Sequence, residues 1–147
     1  MLRQAVRPAG LGPAAWTMVV FGVLALAMGA LGLLAPRLLL AALGFRFVGA
    51  AERPATDYTP AFLMASSMAS LNMGVYYVLA ALTGTRRFFS WTVPFRALTF
   101  CVFSLGVLMG YAPPRFFAVA AWELIGGIAT GAALLYEQRQ ERSVRYG

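Results

Sequence analysis

Ala14-Ala15-Trp16-Thr17-Met18-Val19-Val20-Phe21-Gly22-Val23-Leu24-Ala25-Leu26-Ala27-Met28-Gly29-Ala30-Leu31-Gly32-Leu33-Leu34 carries no charged side chain and lies between Pro13 and Pro36. A helix needs about 20 predominantly apolar residues to cross the hydrocarbon core of a bilayer. The stretch therefore predicts a transmembrane helix over residues 14–34. Its apolar run is longer than the ~7–15 residues of a secretory signal core, and Ala35-Pro36-Arg37 makes a poor cleavage site, so it reads as a retained helix.

Three further segments pass the same length and polarity test, over residues 61–82, 93–111 and 115–136. Pro60 precedes the first of these, Pro94 falls in the first turn of the second, and Pro113-Pro114 precedes the third, all places where a missing N–H costs little. The expected fold is an all-α, four-helix membrane bundle in a single domain.

Composition agrees. Of 147 residues, 61% are hydrophobic and 12% charged, whereas soluble domains carry about 25% charged residues. A water-soluble particle of this size has too little interior to hide so much apolar surface. The net charge is +7, every basic residue is arginine, and the arginines cluster between and beside the apolar runs. That placement fits a topology signal better than a nucleic-acid surface. With no His and only Cys101, imidazole chemistry, disulfide relays and most metal sites are excluded, so no catalytic residue, metal or cofactor is expected. The absence of Lys and His beside abundant Ala, Gly and Arg points to a bacterial source, and hence to the inner membrane.

Orientation follows from the arginines. Arg3, Arg7, Arg86, Arg87, Arg139, Arg142 and Arg145 fall on one side of a four-span chain, and Arg37, Arg46, Arg53 and Arg115 on the other. The excess predicts both termini in the cytoplasm. The connection from Pro36 to Pro60 begins with an apolar stretch, Arg37 to Phe47, too short to span. It reads as a short interfacial or re-entrant helix over the bundle mouth, followed by an exposed loop.

Small residues at four-residue spacing mark seams where membrane helices can approach: Ser66, Ser70 and Gly74; Gly106 and Gly110; Gly127 and Gly131; the first helix has Gly22 and Gly29 seven apart, with Gly32 close to the same face. Glu123 is the residue that invites a functional reading, because an ionisable group within a span is costly unless it faces a polar interior or finds a partner. It shares a helix face with Gly127 and Gly131, so it is expected to point into the bundle. Counting from the non-cytoplasmic end, Glu123 lies roughly 10 Å deep, Ser104 roughly 13 Å and Asn72 roughly 16 Å. With Ser70 these form a candidate intramembrane polar cluster, and Trp122 and Tyr76 are candidates to line a pocket beside it. Glu123 reads either as a proton- or cation-binding carboxylate or as a structural one.

Arg96 enters its predicted helix by only about three residues, roughly 5 Å, which leaves an axial gap to Glu123 on the order of 15 Å. The expectation is that it reaches back to the surface and meets Tyr76, Tyr77 or a lipid head group. Arg86 and Arg87, beside Phe88, Phe89 and Trp91, form a basic-aromatic loop suited to topology, lipid or partner contact. The tail from Glu137 to Arg142 reads as a continuation of the last helix.

The segments Asn72-Met73-Gly74-Val75-Tyr76-Tyr77, Thr92-Val93-Pro94-Phe95-Arg96 and Trp122-Glu123-Leu124-Ile125-Gly126-Gly127 resemble the BphX-like family of small bacterial four-span proteins. The resemblance covers the last three helices and implies a four-helix membrane protein without an assigned reaction. Small multidrug transporters also have four spans, but their membrane carboxylate belongs to the first helix, which here has no acid. Three functions stay open: a non-catalytic accessory, structural or assembly component; a small oligomeric transporter or channel using Glu123; and a binder of a lipid, quinone or aromatic compound. The expected partners are the bilayer itself and a membrane protein or a second copy, with no nucleic acid.

Overall fold

The computed structural model describes residues 10–146. Helices α1 (Pro13–Leu34), α2 (Pro36–Ala42), α3 (Thr59–Leu82), α4 (Arg86–Leu108) and α5 (Phe117–Tyr146) follow one another, with a 3₁₀ turn at Pro114–Phe116 leading into α5. Among the described residues there is no strand, and four helices are long and apolar enough to cross a membrane. Large apolar side chains such as Leu34, Phe62, Phe95 and Leu108 lie on the outside. That surface suggests a membrane protein, since exposed apolar area on this scale is a liability in water.

Proline and glycine set the ends. Proline occupies the first positions of α1, α2 and α3, where its missing N–H removes no helical bond. Pro36 also drives Ala35 out of helical geometry, to φ −139° and ψ 61°, which separates α1 from α2. Gly84 and Gly110 terminate α3 and α4 at φ +64° and +76°. The following amides reach back to close the last turn, Thr85 to Ala80 O at 3.0 Å and Tyr111 to Gly106 O at 2.9 Å.

Helix α1 is the centre of the bundle. It packs along α3 on one side and against α5 on the other, while α4 lies along α5 and only grazes α1 and α3. The α1–α3 seam is a close backbone contact: a Cβ on Gly29 would sit 2.7 Å from Ser67 O, and one on Gly74 would sit 2.7 Å from Gly22 O. Ser70 donates across the same seam to Ala25 O at 2.8 Å. One expected seam is absent and another is shortened by one residue. Gly106 and Gly110 face open space, Gly110 being a helix cap, and Ser66 is exposed and bonds only within its own helix.

At one end all four long helices converge on Ala14, Ala15, Met18, Ala80, Ala81, Phe89 and Leu134. The same end carries a polar tie. Glu137 accepts the Ala14 N–H at 2.9 Å and pairs with Arg86 at 3.0 Å, and Glu141 pairs with Arg86 as well. Two arginines at the N-terminus of α4 oppose its dipole, and these carboxylates offset them. The beginning of α1, the second connection and the distal part of α5 are thereby gathered at one end; Arg3 and Arg7 lie outside the described residues.

Boundaries depart from expectation in two places and agree with it in a third. Helix α4 begins at Arg86 and not near Val93, so Pro94 is internal and leaves the Ser90 carbonyl without its helical donor. The helix after the first long one spans Pro36–Ala42, shorter than the expected Arg37-to-Phe47 stretch. The tail does continue α5, through Tyr146.

Candidate functional site

The candidate site is the buried guanidinium of Arg96 and what surrounds it. Arg96 is 3% exposed, an extreme value for an arginine, and its Cζ lies 3.9 Å from the Phe21 ring centroid and 5.0 Å from that of Tyr77. Glu123 Oε2 stands 3.6 Å from Arg96 Nη1. Three helices thus supply the surroundings of a charge carried by a fourth: α1 gives Phe21, α3 gives Tyr77 and α5 gives Glu123.

Helix register brings the pair together. Arg86 and Glu137 are in contact and define a common level. Arg96 lies ten residues along α4 from that level and Glu123 fourteen residues back along α5, or roughly 15 Å and 21 Å at 1.5 Å per residue. The remaining gap of roughly 6 Å is within the reach of an arginine side chain. The expectation that Arg96 turns to the surface is therefore corrected. Counting from Val93 omitted two helical turns that Arg86 to Thr92 in fact form.

Gly126 makes the space. A Cβ there would collide with the Phe21 ring and with Arg96 Nη1, so no larger residue fits without displacing the guanidinium. Gly127 lets α4 approach, with its hypothetical Cβ 3.3 Å from Arg96 Cβ. The Trp122 ring packs against Phe21 in a tilted arrangement, 4.6 Å between centroids and 41° between planes. One turn beyond Gly126, the buried Thr130 shares a 2.9 Å hydrogen bond with Thr17 and fastens α5 to α1.

The pair is electrostatic without being hydrogen-bonded: Arg96 Nε and Nη1 are buried and have no hydrogen-bond partner among the described residues. Its attraction comes from the carboxylate and from two ring faces, each worth up to about 2 kcal/mol when water is excluded. Glu123 keeps 26% of its side chain exposed, so one edge of the site is open.

The expected polar cluster of Glu123, Asn72, Ser104 and Ser70 does not assemble. Asn72 is on the exposed face of α3, and α1 stands between α3 and α5. Ser70 serves the α1–α3 seam. The Ser104 hydroxyl is buried without a partner. Tyr76 is exposed, whereas its neighbour Tyr77 lies under Arg96. Arg86 is held by the two glutamates of α5, and Arg87 is exposed with no ion pair among the described residues. Phe21 and Gly126 were missed; the doubled glycine just after Trp122-Glu123 was the available sign of a close approach. Among the described residues no group of acids, His or Cys is placed to hold a metal.

No protein-family model, curated protein or solved structure matches the chain.

Proposed function

We propose that this chain spans a bacterial inner membrane four times, as the BphX-like resemblance to four-helix membrane proteins implies, with both termini in the cytoplasm, as the arginine distribution favours. Its role is that of a non-catalytic component of that membrane, built to be held together at its centre and to join another membrane protein. The observation that carries this reading is the closure of Arg96 onto Glu123, Phe21 and Tyr77. A carboxylate spent on neutralising a permanent buried cation cannot carry protons or cations without leaving the guanidinium uncompensated each time it is loaded. Asn72 supports the accessory role, since a carboxamide on an outer helix face within hydrocarbon gains a partner only from another helix.

The transport reading draws on one observation, the open edge of Glu123. Both are tested together by reconstituting wild type and Glu123→Gln in proteoliposomes, with a pH-sensitive dye inside and a melting curve for each protein. The accessory reading expects no pH-driven flux from either protein and a lower melting temperature for the variant. Flux that disappears in a variant of unchanged melting temperature would overturn it. Native mass spectrometry of the chain extracted from its own membrane then identifies the partner, and Asn72→Leu should release it.

A further inference from the structure

At the end opposite the Arg86–Glu137 tie, the last turn of α1, the short α2, the loop and the first turns of α3 enclose a cleft of ≈ 390 Å³. Its volume falls in the roughly 300–1,000 Å³ range of small-ligand sites. Leu33, Leu40, Leu63 and Met64 make its wall apolar, and Arg46, Arg53 and Asp57 supply charge. Gly32 lines it too, and behind Gly32 lies the Ser67 hydroxyl, buried and without a partner.

The two arginines are in different states. Arg53 is committed to the loop: it donates to Val48 O at 2.8 Å, lies 3.7 Å from Asp57 and faces the Phe47 ring. Asp57 in turn accepts both the amide and the hydroxyl of Thr59. Arg46 is exposed and forms no ion pair among the described residues. Asp57 offsets one of the two positive charges, so one remains beside an apolar wall. Arg37, stacked on Phe47 at 4.7 Å, adds another nearby.

We infer that this cleft binds a single-chain anionic amphiphile, with its aliphatic chain against Leu33, Leu40 and Leu63 and its carboxylate or phosphate on Arg46. An apolar wall alone would accept any chain; the unpaired guanidinium selects an anionic head, which it can grip bidentately. The cleft is too small for a two-chain lipid. Gly32 in its lining lies eleven residues beyond Phe21 on α1, roughly 16 Å at 1.5 Å per residue, so the site is separate from the Arg96–Glu123 centre and does not depend on that centre being structural.

The test uses the full chain in phosphatidylcholine nanodiscs, photolabelled with a diazirine analogue of palmitate and mapped by mass spectrometry. Labelling is expected on peptides containing Leu33, Leu40 or Leu63, and to be displaced by palmitate and by palmitoyl lysophosphatidate but not by methyl palmitate. Whichever of the two anions displaces at the lower concentration identifies the head group as carboxylate or phosphate. Arg46→Gln should weaken labelling about tenfold with an unchanged melting temperature, because Arg46 holds nothing else in place. Label spread evenly over all four long helices, equal displacement by the methyl ester, or full labelling of Arg46→Gln would each overturn the inference.

Discussion

Arg96 on α4 and Glu123 on α5 stand 3.6 Å apart without a hydrogen bond, and the arginine alone is sealed from the surroundings. The two partners are therefore unequal. Arginine cannot shed its proton in a protein, whereas a carboxylate can be neutralised by taking one up.

That inequality predicts a non-additive pair of substitutions. Glu123→Gln strands a buried cation and should cost about 3 kcal/mol. The double variant Arg96→Met/Glu123→Gln should cost clearly less than the sum of the single changes, because the charge that needs compensation is gone. Equilibrium unfolding of all four proteins in one detergent measures the coupling; strict additivity would mean that the 3.6 Å approach contributes nothing.

Glycines separate by what a methyl group would meet. Gly126→Ala drives a Cβ into the Phe21 ring and Arg96 Nη1 and should destabilise by about 1–3 kcal/mol. Gly106→Ala meets nothing within 4 Å and should be neutral, or gain up to about 1 kcal/mol from helix propensity. Melting temperatures of the two variants should therefore fall on opposite sides of wild type, or one at wild type and one below it.

Glu137 and Glu141 both pair with Arg86, yet only Glu137 also accepts an amide of α1. Their exposures are 18% and 65%. Glu137→Ala should cost about 1 kcal/mol, as loss of a helix cap does. Glu141→Ala removes an exposed ion pair and should cost less than about 1 kcal/mol, a difference that salt diminishes. Thermal unfolding at low and high ionic strength distinguishes them.

Asp57 provides a pH dependence. The hydroxyl and then the amide of Thr59, with Arg53 adding a smaller attraction, hold its carboxyl below the ordinary 3.8. A depressed folded pKa means that its contribution is complete above the unfolded value of about 3.9 and is lost as pH falls through the folded one. Cleavage at Arg53 by an acid-tolerant protease, or hydrogen exchange across Ala51–Thr59, should increase only in that acidic window, and Asp57→Asn should abolish the transition.

Cys101 offers a probe of the spanning proposal. It is exposed on α4, fifteen residues from Arg86. A charged reagent is excluded from hydrocarbon, so a thiol at that depth lies out of its reach. In intact membranes a charged maleimide should leave Cys101 unmodified while labelling a cysteine introduced at Ala51, and denaturing detergent should make both react. Rapid labelling of Cys101 in the membrane would place α4 in water.

The existence of the four long helices was legible because it depends on quantities local to the chain. An uncharged run of the length of Ala14 to Leu34 satisfies every backbone group only as a helix, and proline and glycine mark its ends. Glu123 was legible as a residue needing a partner for the same reason. The partner itself was not. Which side chain meets Glu123 depends on where α4 begins, on the rotation of α4 against α5, and on α1 lying between α3 and α5, and no local pattern encodes these. Arg86 and Arg87 resembled a loop because the partners of Arg86 among the described residues, Glu137 and Glu141, lie some fifty residues further along the chain. Once that tie sets the register, Arg96 is carried inward to Glu123 while Asn72 is left on the outside. The sequence by itself determined an all-helical chain with one costly carboxylate. Only the tertiary structure decided that the carboxylate belongs to Arg96, because the relative register of two helices is a property of their packing and not of either helix alone.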